Sequence, residues 1–325
     1  MDNWTCIKPL CCPMVKQEIG VIAMKYRKNR AATAQLVAAM ALAGSSVVVG
    51  KGLASSLPVF LTTFATLLVA LLVMLPHAWQ KRAEIRDLER REWVYLFLQG
   101  FCGIVLFRVL MLSGLRTVGA AQAGIITGTS PAVLTLLSWL MLGERPSALS
   151  GMCVLCAIGG TAGIAWADTG ATGAGGLPWG IILVFGAVVS EGLFSIWRKR
   201  IAATVSATAN TAVLIFCALV TVFPLALLDV LHHPMAPTTG DFLAILYYGA
   251  IATAVAYILW TGAVGAVSGV TAGIATAAMP ASAVLLSSLV LDEPLTSAQL
   301  SGCLLVVLGI IAGSWSARRQ GLEAE

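Results

Sequence analysis

The sequence predicts an all-α integral membrane protein, built from ten transmembrane helices as two inverted five-helix repeats. Three observations carry this. First, 58% of the 325 residues are hydrophobic and only 11% are charged. Soluble domains hold about 25% charged residues, and so little charge cannot cover a soluble fold of this size. Second, apolar runs of about 18–22 residues recur along the chain, each able to cross a bilayer core roughly 30 Å thick. They lack the short alternating segments of a β-barrel. Third, a stretch of the first half recurs in the second.

Taken in order, residues 1–30 form a polar tail. It has no apolar h-region with a small-residue cleavage site, and its Cys6, Cys11 and Cys12 fit no common zinc spacing. Met24 opens "MKYRKNR", an alternative start that would make residues 1–23 an over-extension. The ten spans are expected at about 32–50, 57–75, 93–115, 119–142, 149–167, 178–197, 209–229, 241–262, 267–291 and 298–315. Spans one to five fill a first repeat, residues 31–167, and spans six to ten a second, residues 178–317, with no large soluble domain left over.

The basic residues orient the chain. Lys8, Lys16, Lys25, Arg27, Lys28 and Arg30 lie in the tail, and Lys81, Arg82, Arg86, Arg90 and Arg91 follow span two. Arg145 follows span four, Arg198, Lys199 and Arg200 follow span six, and Arg318 and Arg319 end the chain. With ten spans all of these share one side, and the other receives only Lys51 and Arg116. The positive-inside rule then places both termini in the cytoplasm, in a multi-pass protein of the inner (plasma) membrane. The net charge of +5 is a matter of topology rather than of nucleic-acid binding.

Residues 121–144, "AQAGIITGTSPAVLTLLSWLMLGE", align without gaps to residues 270–293, "VTAGIATAAMPASAVLLSSLVLDE", and match at 12 of 24 positions. Pro131 pairs with Pro280 and Glu144 with Glu293. Apolar sequence produces chance matches at Leu and Ala, but does not readily place Gly, Thr, Pro and Glu in register as well. The copies lie five spans apart, so they enter the membrane from opposite sides. Such inverted repeats are a common transporter architecture, with the substrate site near the midplane between the halves.

These features resemble the EamA group of the drug/metabolite transporter superfamily. The resemblance rests on "GSSVVVGKGLASSLP" in span one and "GLRTVGAAQAGIITGTSPAVLTLLSWLMLGERPSALSG" across spans three to five. It continues in "ATAVAYILWTGAV" and "AGIATAAMPASAVLLSSLVLDEPLTSAQLSG" across spans eight to ten, and covers about residues 32–315. It implies secondary transport, most often efflux, of small metabolites. Two positions depart from the family pattern. Its early tryptophans are replaced by Ala43 and Glu191, and the arginine common in span two gives way to the hydroxyl-rich "TTFAT".

Two charges fall inside spans. Glu191 in span six suits proton coupling, binding of a substrate amine, or a structural hydrogen bond to a neighbouring helix. Arg108 in span three suits a substrate carboxylate, a pair with Glu191, or snorkelling to the outer interface. A charge at bilayer depth costs roughly 2.5–3.5 kcal/mol on insertion scales, so both are expected to face a cavity or a partner. Pro131 and Pro280 are expected to kink spans four and nine near their centres, leaving Thr127, Thr129, Ser130 and Thr276 to offer hydroxyls to a cavity. Tyr257 and Trp260, one turn apart on span eight, either wall that cavity or face lipid. Glu144 and Glu293 are read as architectural, in turns where a carboxylate meets the free N–H groups of the helix that follows. Thr296 with Gln299 fits a capping box.

The stretch "GSSVVVGKG" imitates a phosphate loop and fails. Five residues rather than four separate Gly44 from Gly50, and Gly52 stands where a Ser or Thr would hold magnesium. Lys51 is therefore read as an end anchor of span one or an element of an outer gate. With neither a Walker motif nor a soluble domain, ATP-driven transport is not expected. No cofactor is expected, and no metal: Cys153-x-x-Cys156 and the loop histidines have no further ligands nearby. The spans hold no histidine and one acid, which disfavours an integral-membrane enzyme, and they show no repeated polar rings of the kind that line a channel. The expected activity is export of a small amphoteric metabolite, such as an amino acid or an amino-acid-derived metallophore. An importer or facilitator of a different small metabolite or drug is the alternative.

Overall fold

The structure, a computed structural model, describes residues 13–143, 179–198, 206–232, 236–264, 266–267, 269–297, 299–308 and 310–311, which form helices and turns with no strand among them. The first half holds α1 (Pro13–Ser56), α2 (Val59–Gln80), α3 (Arg82–Arg86), α4 (Arg90–Gly100), a π-helical segment (Phe101–Leu106), α5 (Phe107–Leu115), α6 (Ala120–Thr127) and α7 (Ser130–Leu142). The second holds α8 (Trp179–Arg198), α9 (Ala207–His232), α10 (Thr239–Leu246), a second π-helical segment (Tyr247–Val255), α11 (Ala256–Val264), α12 (Gly269–Thr276) and α13 (Ala278–Val290). A short apolar helix, α14 (Gln299–Leu308), follows.

Six segments are long and apolar enough to cross a membrane, and they correspond to expected spans one, two, three, six, seven and eight. Span four becomes a seventh when its two pieces, Ala120–Thr127 and Ala132–Met141, are joined across a 42° bend. Span nine is divided into α12 and α13, and among the described residues span ten contributes the short helix α14. Expected span five and Glu144 lie outside the described residues. The count among the described residues is thus six or seven rather than ten.

Two expectations need correction. The first helix begins at Pro13, inside the stretch read as a polar tail. The prolines do not bend continuous helices at their centres: Pro131 is the second residue of α7 and Pro280 the third of α13. Each sits in the first turn of a new helix, where its missing N–H would have had no intrahelical partner anyway. Sequence patterning also did not reveal the π-helical segments. They fall at corresponding places in the two halves, and π turns inside α-helices recur at functional sites.

The packing repeats when the halves are exchanged. α2 lies against its counterpart α9. α1 packs on α13 and α11, while its counterpart α8 packs on α7 and α5. Glycines bring the π regions close to the α2–α9 pair. A β-carbon at Gly100 would lie 3.1 Å from Leu214 O, and one at Gly249 would lie 2.5 Å from Thr66 O. Without lipid-excluding hydrophobic force, such small-residue contacts are a main source of helix association in membranes.

Carboxylates join the halves at the helix ends. Asp229 Oδ2 accepts hydrogen bonds from Phe60 N and Leu61 N at 3.0 and 3.1 Å, capping α2 from the end of α9. In the corresponding place, Glu84 Oε2 accepts from Ser206 N at 3.0 Å, just before α9. Within one chain segment, capping boxes start α10 (Thr238 with Asp241) and α4 (Glu89 with Glu92). The expected box of Thr296 with Gln299 has both bonds, at 3.1 and 3.2 Å.

Glu84 yields a pH prediction. Hydrogen bonds from Lys81 first, then from Ser206, hold its carboxyl down at about 2. Its contribution to tying α3 to α9 is complete above the ordinary carboxylate value and is lost as pH falls toward 2. Exchange of the Ser206 amide should therefore accelerate as pH is lowered through that range, after correction for intrinsic exchange, and Glu84→Gln should accelerate it already at neutral pH. Protection unchanged in the variant would contradict the tie. A second prediction concerns Gly249. Substitution Gly249→Val should cost about 1–3 kcal/mol through overpacking against α2, read as a lower melting temperature in detergent. An unchanged melting temperature would contradict the close approach.

Candidate functional site

A cavity of about 710 Å³ lies where the two halves meet. Its wall takes Ala43 and Ser46 from α1, Met111 from α5, Ser130 and Thr135 from α7, Phe194 from α8, Thr253 from the second π segment, and Val306 from α14. Most of this lining is apolar. Among the described residues, the charged groups on it are one carboxylate, Glu191, and one guanidinium, Arg108.

Arg108 is buried, with 6% of its surface exposed. Its Nη1 donates to Thr66 Oγ1 at 2.9 Å and its Nη2 to Thr253 Oγ1 at 2.6 Å. The guanidinium carbon lies 4.6 Å from the Tyr248 ring centroid, a cation–π arrangement. Both hydroxyls can accept because their own protons are used elsewhere. Thr66 donates to Thr62 O at 2.8 Å, and Thr253 donates to Tyr248 O at 2.8 Å, five residues back across the π turn. The guanidinium has five N–H donors, so the two hydroxyl bonds leave donor capacity for a ligand. No ion pair joins Arg108 to Glu191 among the described residues, where the one such contact is Lys81–Glu84 at 2.8 Å.

Glu191 lies on α8, against α7. Ser130 Oγ is 2.5 Å from Glu191 Oε2 and 2.8 Å from Thr127 O. Tyr257 and Trp260 of α11 share the cavity wall with these groups, and Tyr257 is in electrostatic reach of both Arg108 and Glu191. Thr127, Thr276 and Pro280 also line the cavity. Pro131 lies in the chain beside Ser130, and its side chain is outside the description. Thr129 does not reach the cavity; its hydroxyl donates to Ile126 O at 2.7 Å.

Two residues singled out in the sequence stand away from the cavity. Lys51 Nζ donates to Leu115 O and Val118 O, at 2.7 and 2.9 Å, so it ties α1 to the carbonyl end of α5. Arg116 adds bonds back to Ala54 O and Leu57 O, at 3.2 and 3.4 Å. Glu293 does not serve the helix that follows it. Its oxygens accept from Ala120 N and Ala121 N, at 3.0 and 3.2 Å, and so cap α6 in the other half. α6 lies against α13, and Glu293 follows the end of α13.

Thr66, Thr253 and Tyr248 were not foreseen as partners of Arg108. The signal for one of them was present: "TTFAT" is a cluster of hydroxyls where the resemblance calls for an arginine. Among the described residues, no three His, Cys, Asp or Glu side chains converge on a point that could hold a metal ion.

The profile of the EamA-like transporter family matches residues 31–166 and 178–314, one copy in each half. The uncharacterized transporter YetK of Bacillus subtilis (strain 168) is 32% identical over 302 residues, spanning 92% of this chain and 90% of that protein. The uncharacterized transporter YvbV of the same organism is 25% identical over 275 residues, spanning 84% and 87%. A crystal structure of a protein 22% identical in sequence superposes with a TM-score of 0.63 over 90% of this chain and 99% of that one, a likeness of fold alone. With both halves matched and a relative similar along nearly its whole length, this multi-pass membrane protein belongs to the EamA-like transporter family.

Proposed function

We propose that the chain is a secondary transporter that exports a small amphoteric metabolite, an amino acid or amino-acid-derived compound such as a metallophore, by alternating access of two inverted five-helix repeats. Protons are the coupling ion and Glu191 is their carrier. The observation that carries this reading is that, among the described residues, one cavity between the repeats holds a single carboxylate and a single guanidinium, not paired with each other. A zwitterion satisfies both. Its carboxylate engages the free donors of Arg108, its ammonium faces Glu191, and its side chain meets Tyr257, Trp260 and the apolar wall. Thr127, Ser130 and Thr276 supply hydroxyls where Pro131 and Pro280 interrupt spans four and nine.

Orientation supports loading from the cytoplasm. With both termini on the cytoplasmic side of the inner membrane, Lys51, Ser56, Arg116, Asp229, Asp241 and Glu293 all lie at the outer end. Bonds among these neighbourhoods, including Ser56 Oγ to Asp241 Oδ1 at 2.5 Å, hold that end together. Lys51 and Glu293 then act as ties of an outer gate, and Glu144 is the counterpart of Glu293 in the repeat. The cavity lining extends through Ala39, Ser195 and Trp260, residues on the cytoplasmic side of their spans.

The test is uptake of a panel of labelled amino acids into proteoliposomes under an imposed pH gradient. At least one zwitterion should accumulate, and Arg108→Gln should reduce its transport about tenfold or more, the worth of a charged hydrogen bond. Glu191→Gln should abolish the dependence on the gradient. Transport restricted to cations, or a gradient dependence that survives in Glu191→Gln, would contradict the reading.

A further inference from the structure

Pro131 has no N–H, so the carbonyl four residues before it, Thr127 O, has no α-helical donor. Thr127 is buried, with 2% of its surface exposed, so the replacement for that bond comes from the protein. The donor the structure supplies to Thr127 O is the Ser130 hydroxyl, at 2.8 Å. That same hydroxyl lies 2.5 Å from Glu191 Oε2. A hydroxyl carries one proton. When Glu191 is ionised it only accepts, so the Ser130 proton goes to the carboxylate in a charge-assisted bond, and Thr127 O is released. When Glu191 takes up a proton, its O–H donates to Ser130 Oγ, and the Ser130 proton turns to Thr127 O. Both arrangements conserve every proton, and the second adds only the one bound by Glu191.

We infer that Ser130 is a positioning residue that couples the protonation of Glu191 to the free carbonyl at the break in span four. This rests on the reading of Glu191 as the proton carrier. Each proton bound would mend the hydrogen bonding of the break, and each proton released would open it, so the geometry between α6 and α7 responds to the charge on α8. Among the described residues, the other ionisable groups facing this cavity are Arg108 on α5, Tyr248 in the second π segment and Tyr257 on α11. The device exists once. Ser130 corresponds to Met279 in the repeat alignment, and the early family positions pair Glu191 with Ala43, so the break at Pro280 has neither the hydroxyl nor the carboxylate.

The experiment is infrared difference spectroscopy of the full chain in liposomes between alkaline and acid pH, with threonine labelled with carbon-13 at its carbonyl. A carboxylic-acid band should appear at acid pH and be lost in Glu191→Gln, and a labelled carbonyl band should shift in step with it. In Ser130→Ala the acid band should remain but move to higher wavenumber, because its O–H has lost its acceptor, and the labelled shift should vanish. Ser130→Thr should restore both. A labelled band that does not change with pH, or still changes in Ser130→Ala, overturns the coupling while leaving Glu191 as carrier. An acid band that persists in Glu191→Gln overturns the carrier reading itself, and the coupling with it.

Discussion

Inside a bilayer every backbone N–H and C=O must find its partner within the protein, and the rest of this structure depends on how that demand is met at the places where helices stop. Spans four and nine are interrupted and two others pass through π turns. Each irregularity leaves groups that an unbroken helix would have satisfied. Side chains from elsewhere in the chain meet them: Asp229 at the start of α2, Glu293 at the start of α6, Lys51 at the end of α5, and Ser130 at the proline break. Three of these four contacts tie one segment to another far away in sequence. The same bonds that make irregular helices tolerable therefore also tie distant segments together, and those of Asp229 and Glu293 join the two halves.

The halves share an architecture but not a chemistry. At the register of the repeat alignment Arg108 corresponds to Tyr257, and the early family positions pair Glu191 with Ala43. Among the described residues, each half thus brings one charge to the common cavity, of opposite sign, from helices that are not equivalent. Arg108 is held firmly by Thr66 of α2 and Thr253 of the second π segment, so the cation is braced by both halves at once. Among the described residues, Glu191 is held by the Ser130 hydroxyl. A braced cation suits a fixed recognition point, and a lightly held carboxylate suits a group that changes its charge.

Much of the fold was legible in the sequence because its signals are local. Apolar runs, basic turns and the Pro131/Pro280 register need no tertiary information. Glu191 and Arg108 stood out because a charge within an apolar run is rare, and the structure places both on one cavity. What was not legible depends on neighbours distant in the chain. Nothing in "DEPL" shows that Glu293 reaches α6 rather than the helix after it. Nothing near Arg108 names Thr253, 145 residues away. The helix breaks were hidden for a different reason: a proline in an apolar run is compatible with a bend or with a fresh helix start, and packing of α6 and α7 against different neighbours decides between them. The π segments leave no mark in hydropathy, since they change the turn and not the composition.

The claim on which the account turns is that Glu191 and Arg108 face one shared cavity that is reached from the cytoplasm while the outer end is tied shut. The most direct test is to place single cysteines by Glu191→Cys and Arg108→Cys in a chain freed of its own cysteines, and to apply a membrane-impermeant thiol reagent from either side of oriented vesicles. Both positions should react from the cytoplasmic side and neither from the outer side. Reaction of only one of them, or reaction from the outer side in the resting protein, would contradict the account.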